Sequence, residues 1–383
     1  MTGRRTRVLV VDDSAFMRKL IPAILARDPE IDVAGTAMDG VFALEKVARL
    51  RPDVVTLDLD MPRMHGLEAL RRLVEQHGVP VLVLSAFSQQ GAQLTLQALE
   101  LGAVDFLAKP RGVDPGGLEA LADELIHKVK MAARVSPRRL AGAPPHAECG
   151  VRAAECSPKH EATRSPQSAV HGPQSGAAAA AATAGCVLAI GISTGGPQAL
   201  SYLLPQLPAD YPAGILVVQH MPRGFTRMFA ERLAQMAEMD VREARDGDLV
   251  LPGRVLVAPG DQHLTVCRKR LGVVAAVGDG ASVKRHRPSV DVLFASVAAA
   301  YGPRAAGLLM TGMGDDGADG LARIKAAGGT TLVQSEDSCV VAGMPRAALE
   351  RGCVDRVVPL EDLAQALRDL CAGGGWWDGL DRR

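Results

Sequence analysis

Short apolar runs alternate with segments of helical period from Val8 to about Arg134, the pattern of a parallel sheet covered by helices on both faces. The spacing predicts strands over Val8–Val11, Asp32–Ala37, Val54–Asp58, Val79–Ser85 and Val104–Ala108. Phe16–Ala26, Val41–Arg49, Leu67–Gln76, Ala92–Glu100 and Leu118–Ala133 carry apolar residues at helical spacing, so this region reads as five βα units. From about Val135 to Ala184 the chain turns to Ala, Pro, Ser, Gly and His, with too few large apolar residues to build a core, which predicts a flexible linker. Alternation resumes at Cys186, with strands over Val187–Ile192, Ile215–His220, Arg254–Ala258, Ala306–Thr311 and Thr330–Gln334. Helical segments over Gln198–Leu204, Thr226–Ala237, Val290–Ala300 and Gly317–Ala327 separate most of them. Around Val255–Val277 the helical period drops out, predicting a β-hairpin attached to the edge of an otherwise parallel, doubly wound sheet. The chain thus divides into an α/β domain over residues 1–134, a linker over 135–184, a second α/β domain over 185–372 and a tail over 373–383.

Composition narrows the function classes. A chain of 383 residues is too long for one ordinary core, and 48% hydrophobic with 22% charged residues is a globular balance. Apolar runs fall short of the roughly 18 residues needed to span a bilayer. The basic stretch Met1–Arg7 runs straight into Val8–Val11 without a signal peptide's apolar region, so a cytoplasmic location is expected. Lys plus Arg and Asp plus Glu both number 43, and no basic recognition helix follows the first domain, which argues against nucleic-acid partners. Seven cysteines, without a C-x-x-C pair, fit reduced thiols. His146, Cys149, Cys156 and His160 have a spacing that could hold zinc, but they lack a surrounding core and read as a product of biased composition. Trp376 and Trp377, in the glycine-rich tail, read as packing residues.

Ligands of doubly wound sheets bind beyond the carboxyl ends of the strands, where Asp12, Asp13 and Asp58 become neighbours. Three carboxylates in one place repel one another, and a hard divalent cation would relieve that repulsion. Ser85 and Lys109 end the fourth and fifth strands and add a hydroxyl and a positive charge on the same edge. One carboxylate can then attack phosphorus while the cation and Lys109 neutralise the phosphoryl oxygens, and Asp58, on the central strand, is the best-placed nucleophile. Val10-Val11-Asp12-Asp13-Ser14, Leu57-Asp58-Leu59-Asp60-Met61-Pro62, Ser85-Ala86 and Ala108-Lys109-Pro110 closely resemble the receiver domains of two-component response regulators. That resemblance implies a flavodoxin-like fold, a histidine-kinase phosphodonor, and Mg2+ held by Asp12, Asp13, Asp58 and the backbone of Asp60. It also implies Ser85 as the switch hydroxyl and Phe106 as the accompanying aromatic. His65 departs from the Asp often found in that turn, away from the phosphoryl chemistry.

In the second domain, Gly191-Ile192-Ser193-Thr194-Gly195-Gly196 follows an apolar strand and precedes a helix, which satisfies G-x-S-x-G in its strand-turn-helix context. Free N–H groups at the helix start can stabilise an oxyanion. The rival, a phosphate-cradling glycine loop, fails at Ser193 and lacks a following G-K-[ST]. A serine needs a base and the base needs an orienting group. His220 closes its own strand on the same edge and is the leading candidate, whereas His263 and His286 are more easily read as hairpin and substrate-contact residues. Gly312-Met313-Gly314-Asp315-Asp316-Gly317 brings two acids to that edge; either could orient His220 or simply cap the next helix.

Gly191 to Gly196, Gln219-His220-Met221-Pro222, Ala258-Pro259-Gly260, His286-Arg287-Pro288-Ser289-Val290-Asp291, Thr311 to Gly317 and Ala342-Gly343-Met344-Pro345 together resemble the chemotaxis protein-glutamate methylesterases and glutamine deamidases. The resemblance implies Ser193 as nucleophile, His220 as general base, Asp316 as orienting carboxylate, and Thr194, Gly195 and Met313 beside the oxyanion. It implies hydrolysis of glutamate 5-methyl esters on chemoreceptors, deamidation of receptor glutamines, no cofactor for hydrolysis, and control by phosphorylation of Asp58. The same chemistry on another receptor-like pathway and a non-enzymatic, phosphorylation-dependent binding protein are the alternatives.

Overall fold

The computed structural model describes residues 4–86, 88–109, 115–135 and 185–372. The expected linker and tail, with His146, Cys149, Cys156, His160, Trp376 and Trp377, fall outside the described residues. The N-terminal half runs β1 (Thr6–Val11), α1 (Met17–Leu25), β2 (Ile31–Ala37), α2 (Gly40–Leu50), β3 (Val54–Asp58), α3 (Gly66–His77), β4 (Val81–Ser85), α4 (Gln89–Glu100), β5 (Asp105–Ala108) and α5 (Pro115–Ala132). Its strands form one parallel sheet in the order β2-β1-β3-β4-β5. β3 and β4 are buried at every residue because helices cover both faces, which is why they read as continuous apolar runs. Asp39 and Ser88 start α2 and α4 by accepting the backbone N–H of Phe42 and Gly91, each at 3.0 Å.

The C-terminal half runs β6 (Cys186–Ile192), α6 (Gly196–Leu203), β7 (Ala213–Gln219), α7 (Phe225–Met236), β8 (Asp240–Glu243), β9 (Arg254–Val257), β10 (His263–Lys269) and β11 (Gly272–Gly278). It continues with α8 (Val290–Tyr301), β12 (Ala305–Leu309), α9 (Ala318–Ala326), β13 (Thr330–Gln334), α10 (Gly343–Glu350), β14 (Arg356–Val358) and α11 (Leu360–Ala372). Seven strands form a parallel sheet in the order β14-β13-β12-β6-β7-β9-β8. The hairpin β10–β11 does not extend an edge of this sheet. It makes a separate antiparallel pair whose Leu264, Val266, Val273 and Ala275 share an apolar cluster with Leu293, Phe294 and Val297 of α8. Burial against a helix satisfies its apolar face, so edge pairing is not needed.

The order places β7 and β12 on either side of β6, so the chain reverses direction across the sheet there and opens a crevice at the carboxyl edge. One apolar cluster joins the two halves, running from Leu57, Leu73 and Leu99 to Leu200, Phe225 and Phe229. Among the described residues, no helix is long and apolar enough to cross a membrane.

The turn after β3 is tightly built, since a Cβ on Gly66 would lie 2.4 Å from Leu59 Cα and 2.6 Å from the Asp58 carbonyl oxygen. Gly66→Ala is expected to destabilise the N-terminal half by about 1–3 kcal/mol, because backbone cannot give way as a side chain can. Urea denaturation measures this, and an unchanged midpoint would contradict it.

Candidate active site

At the carboxyl edge of the N-terminal sheet, carboxylate oxygens of Asp12, Asp13 and Asp58 lie within 4.8 Å of one another. Asp12 and Asp58 are buried and Asp13 is exposed. Lys109 Nζ lies 2.9 Å from Asp12 Oδ2 and 2.8 Å from Asp58 Oδ2. Burial pushes the Asp58 carboxyl up, and its neighbour Asp12 adds to that, against the pull of Lys109 and of the Asp60 N–H. Asp60 donates that N–H to Asp58 Oδ1 at 3.3 Å. A site with three hard oxygen donors and one ammonium fits a divalent cation, which would relieve the remaining repulsion. Ser85, on the next strand, donates its hydroxyl to the Gly91 carbonyl of α4 at 3.0 Å.

The second crevice gathers the ends of β6, β7 and β12. The backbone N–H of Ser193 binds the Thr311 carbonyl at 3.0 Å, and that of His220 binds Ile192 O at 3.1 Å, so the ladder hands each residue on in turn. Gln219 Nε2 donates to the carbonyl oxygens of Ser193 and His220 at 3.0 and 3.3 Å and ties the two strand ends together. Gly312 allows the approach from the third side, because a Cβ there would lie 2.8 Å from Ser193 Cβ and 2.2 Å from Met344 Sδ. Gly195 opens α6, and Met313 follows Gly312 in a partly exposed bend.

His220 Nε2 lies 2.8 Å from Asp316 Oδ2. The Asp316 side chain is fully buried and accepts three further hydrogen bonds: Ser289 Oγ at 2.8 Å, Val290 N at 2.7 Å and Asp291 N at 3.1 Å. A carboxylate from one loop thus caps α8, whose own Ser289 leaves that position open. Burial alone would raise the Asp316 pKa, but His220 and these donors outweigh it and hold the carboxyl well below the usual carboxylate range. An ionised Asp316 can only accept, so the network assigns a proton to His220 Nε2. His220 Nδ1 is buried and has no hydrogen-bond partner among the described residues. Asp315, the other acid of the pair, is half exposed and faces Lys284 and Arg351.

Family models match both halves: the response regulator receiver domain over residues 8–120 and CheB methylesterase over 188–367. The protein-glutamate methylesterase/protein-glutamine glutaminase 2 of Koribacter versatilis is 49% identical over 362 residues, covering 94% of this chain and 95% of its own. This chain belongs to the CheB methylesterase family. The Pyrococcus abyssi protein-glutamate methylesterase/protein-glutamine glutaminase is 43% identical across 98% of this chain and 97% of its own. Protein 1 of that name from Xanthomonas campestris pv. campestris is 47% identical across 96% and 97%.

In this methylesterase the receiver half lies directly against the serine crevice. Thr194 donates its hydroxyl to Asp105 Oδ2 of β5 at 2.5 Å. Lys128 of α5 holds that carboxylate at 3.2 Å and donates to the Phe106 carbonyl at 2.6 Å. Phe106 stacks on Phe225, with ring centroids 4.9 Å apart. Gln198 Nε2 donates to the Leu99 and Ala103 carbonyls at 2.9 and 2.8 Å, and Arg232 makes a two-pronged pair with Glu100. Asp105, Lys128, Phe225, Gln219 and Ser289 join the site without a sequence signal of their own. Ser289 and Gln219 lie inside the motifs around His286 and His220, but nothing local marks Asp105 as a contact to the other half.

His286 stacks flat on His220, with centroids 3.8 Å apart and planes 2° apart. Burial first, and then the neighbouring His220, push the His286 imidazole down from its ordinary 6.5 to about 4. Between those values the unfolded chain takes up a proton that the folded chain does not, so stability falls as the pH drops through this window. His286→Asn is expected to remove about 2–3 kcal/mol of that loss. Comparing urea midpoints of the two proteins at neutral and mildly acidic pH tests this, and equal pH dependence would contradict it.

Proposed function

We infer that the chain is a phosphorylation-regulated hydrolase of the signalling helices of chemoreceptors, converting glutamate 5-methyl esters to glutamate and methanol and glutamines to glutamate and ammonia. Family membership across nearly the whole chain supports the activity. The observation that carries the mechanism is the buried His220–Asp316 pair, whose free Nδ1 belongs to the residue closing the strand beside Ser193. Ser193 Oγ attacks the side-chain carbonyl carbon and His220 Nδ1 takes its proton. The carbon–methoxy or carbon–nitrogen bond then breaks, and the proton passes to the departing methoxide or amide nitrogen. Water enters by the same route, with His220 again as base, and releases the new carboxylate. Asp316 stays ionised throughout and stabilises the imidazolium. Thr194, Gly195 and Met313 lie around the developing oxyanion. No hydrogen bond joins Ser193 to His220 in the covered arrangement, a looseness common before substrate binds.

Asp58 receives the phosphoryl group from a histidine kinase. Asp12, Asp13, Asp58 and the backbone of Asp60 would hold Mg2+, which when bound supplies charge neutralisation for that transfer. Lys109 pairs with the acceptor carboxylate and contributes the fixed positive charge beside it. Asp105 and Phe106 are consecutive on β5, so a movement of Phe106 that follows modification at Asp58 and rearrangement of Ser85 also moves the carboxylate holding Thr194. The phosphorylated population then exposes Ser193 to the receptor. The setting is the cytoplasm, where both kinase and receptor signalling helices are met.

Methanol release from methylated receptor, with and without a small phosphodonor and Mg2+, tests this reading. Ser193→Ala is expected to lose at least roughly 1,000-fold in rate; unchanged turnover would remove Ser193 as the nucleophile, and no turnover in the unmutated chain would leave the phosphorylation-dependent binding protein. Asp58→Asn is expected to keep its basal rate and lose the response to phosphodonor. Asp105→Asn is expected to raise the basal rate roughly ten-fold, about 1.4 kcal/mol, close to the lower end of the roughly 1.5–3 kcal/mol that a hydrogen bond to a charged group contributes. A basal rate unchanged by Asp105→Asn would show that Thr194 is not restrained by this contact.

A further inference from the structure

Two residues before His286 the chain turns in a conformation its side chains do not favour. Val283 and His286 exchange backbone hydrogen bonds at 3.1 and 2.8 Å, which leaves Lys284 and Arg285 as the corner of a two-residue turn. Both have positive φ, +49° and +69°, the combination that such turns normally give to Asn and Gly. Neither residue has the missing Cβ or the short polar side chain that makes this region accessible. Contacts elsewhere must therefore hold the turn.

The two side chains differ sharply in those contacts. Arg285 is 89% exposed, and its ion pair with Asp123 is stretched to 4.0 Å. Lys284 Nζ lies 2.8 Å from Asp291 Oδ2, 2.7 Å from Asp319 Oδ2 and 3.1 Å from Asp315 Oδ2, and donates to the Asp315 carbonyl at 3.0 Å. These acids belong to α8, to α9 and to the loop between β12 and α9, the elements that surround Asp316. Asp291 fixes α9 in turn by accepting the Gly320 N–H at 2.7 Å. Arg351 also binds Asp315 and Asp319, at 3.4 and 2.7 Å, and donates to Ala347 O, but none of these partners lies on the turn.

We propose that Lys284 is a positioning residue for the hydrolytic reaction: its ammonium clamps the strained turn against α8 and α9, and so holds His286 flat on His220 and Asp316 in register with the imidazole. The proposal rests on the reading of Ser193, His220 and Asp316 given above. Partial burial works against the Lys284 charge, and hydrogen bonds to Asp291, Asp319 and Asp315 outweigh it, raising its pKa above the ordinary lysine value. The clamp is therefore constant over the working range of the enzyme. The charged groups facing His286 are Asp316, Lys128 and Asp315, together with the neighbouring His220. Releasing the turn removes a ring that shields His220 from water, so both the rate and its pH dependence respond.

The test is methanol release by the full chain, activated with phosphodonor, from methylated receptor. Lys284→Met is expected to lower kcat about ten-fold, to leave KM within about two-fold and to shift the acid limb of the kcat profile. Lys284→Arg is expected to recover most of kcat, since a guanidinium can span the same carboxylates. Lys284→Gly removes the charge while relieving the left-handed strain, so it retains the fold and is expected to lose kcat as the Met variant does. Arg285→Gly, which relieves the same kind of strain without touching the clamp, is expected to keep kcat within about two-fold. With Ser193→Ala inactive, an unchanged kcat and pH profile in both Lys284→Met and Lys284→Gly overturn the clamp. An active Ser193→Ala overturns the catalytic reading, and the clamp with it.

Discussion

A buried carboxylate needs donors on every side, and the C-terminal half is arranged around supplying them to Asp316. Three of its four hydrogen bonds come from the start of α8, where two backbone N–H groups and the Ser289 hydroxyl would otherwise lack a cap. The fourth comes from His220 at the end of β7. One side chain therefore fixes where α8 begins, how the loop after β12 folds back and which nitrogen of His220 carries the proton. The serine contributes little to this frame. Ser193 is delivered by β6 and the turn glycines, beside a histidine whose orientation is decided elsewhere.

The same crevice is where the receiver half makes its most specific contact. Apolar packing of α4 against α6 and α7 supplies area, but it is indifferent to small displacements. The polar contacts are not. Asp105 reaches Thr194, the residue next to Ser193, while Lys128 grips both Asp105 and the backbone of Phe106. Phe106 in turn stacks across the junction on Phe225, the first residue of α7. A strand of four residues thus carries, side by side, the receiver's aromatic and the carboxylate that restrains Thr194. Coupling needs no long path when the two ends share one strand.

Much of this was legible in the sequence. Strands buried on both faces announce themselves as apolar runs, so Asp12, Asp58, Lys109, Ser193 and His220, which close them, could be placed on the carboxyl edges without coordinates. The hairpin was readable as a hairpin but not as a layer on α8, because its alternating pattern is the same whichever surface buries it. β8 and β14, with four and three residues, are too short and too exposed to leave a periodic signal. The residues alone left Asp315 and Asp316 equivalent; burial separates them, one facing solvent and Lys284, the other enclosed. Asp105 and Lys128 were illegible for a different reason. Their partners lie across a junction whose geometry no local pattern encodes.

We propose that Ser193 is a reactive nucleophile whose exposure is controlled from Asp58. The most direct measurement is the rate at which a small fluorophosphonate labels the full chain, with the modified residue located by mass spectrometry and the rate followed with and without phosphodonor and Mg2+. The expected label is on Ser193 and forms slowly in the resting protein, faster after phosphodonor is added, and slowly throughout in Asp58→Asn. Labelling at another residue, or a Ser193 rate that ignores the phosphodonor, would contradict it.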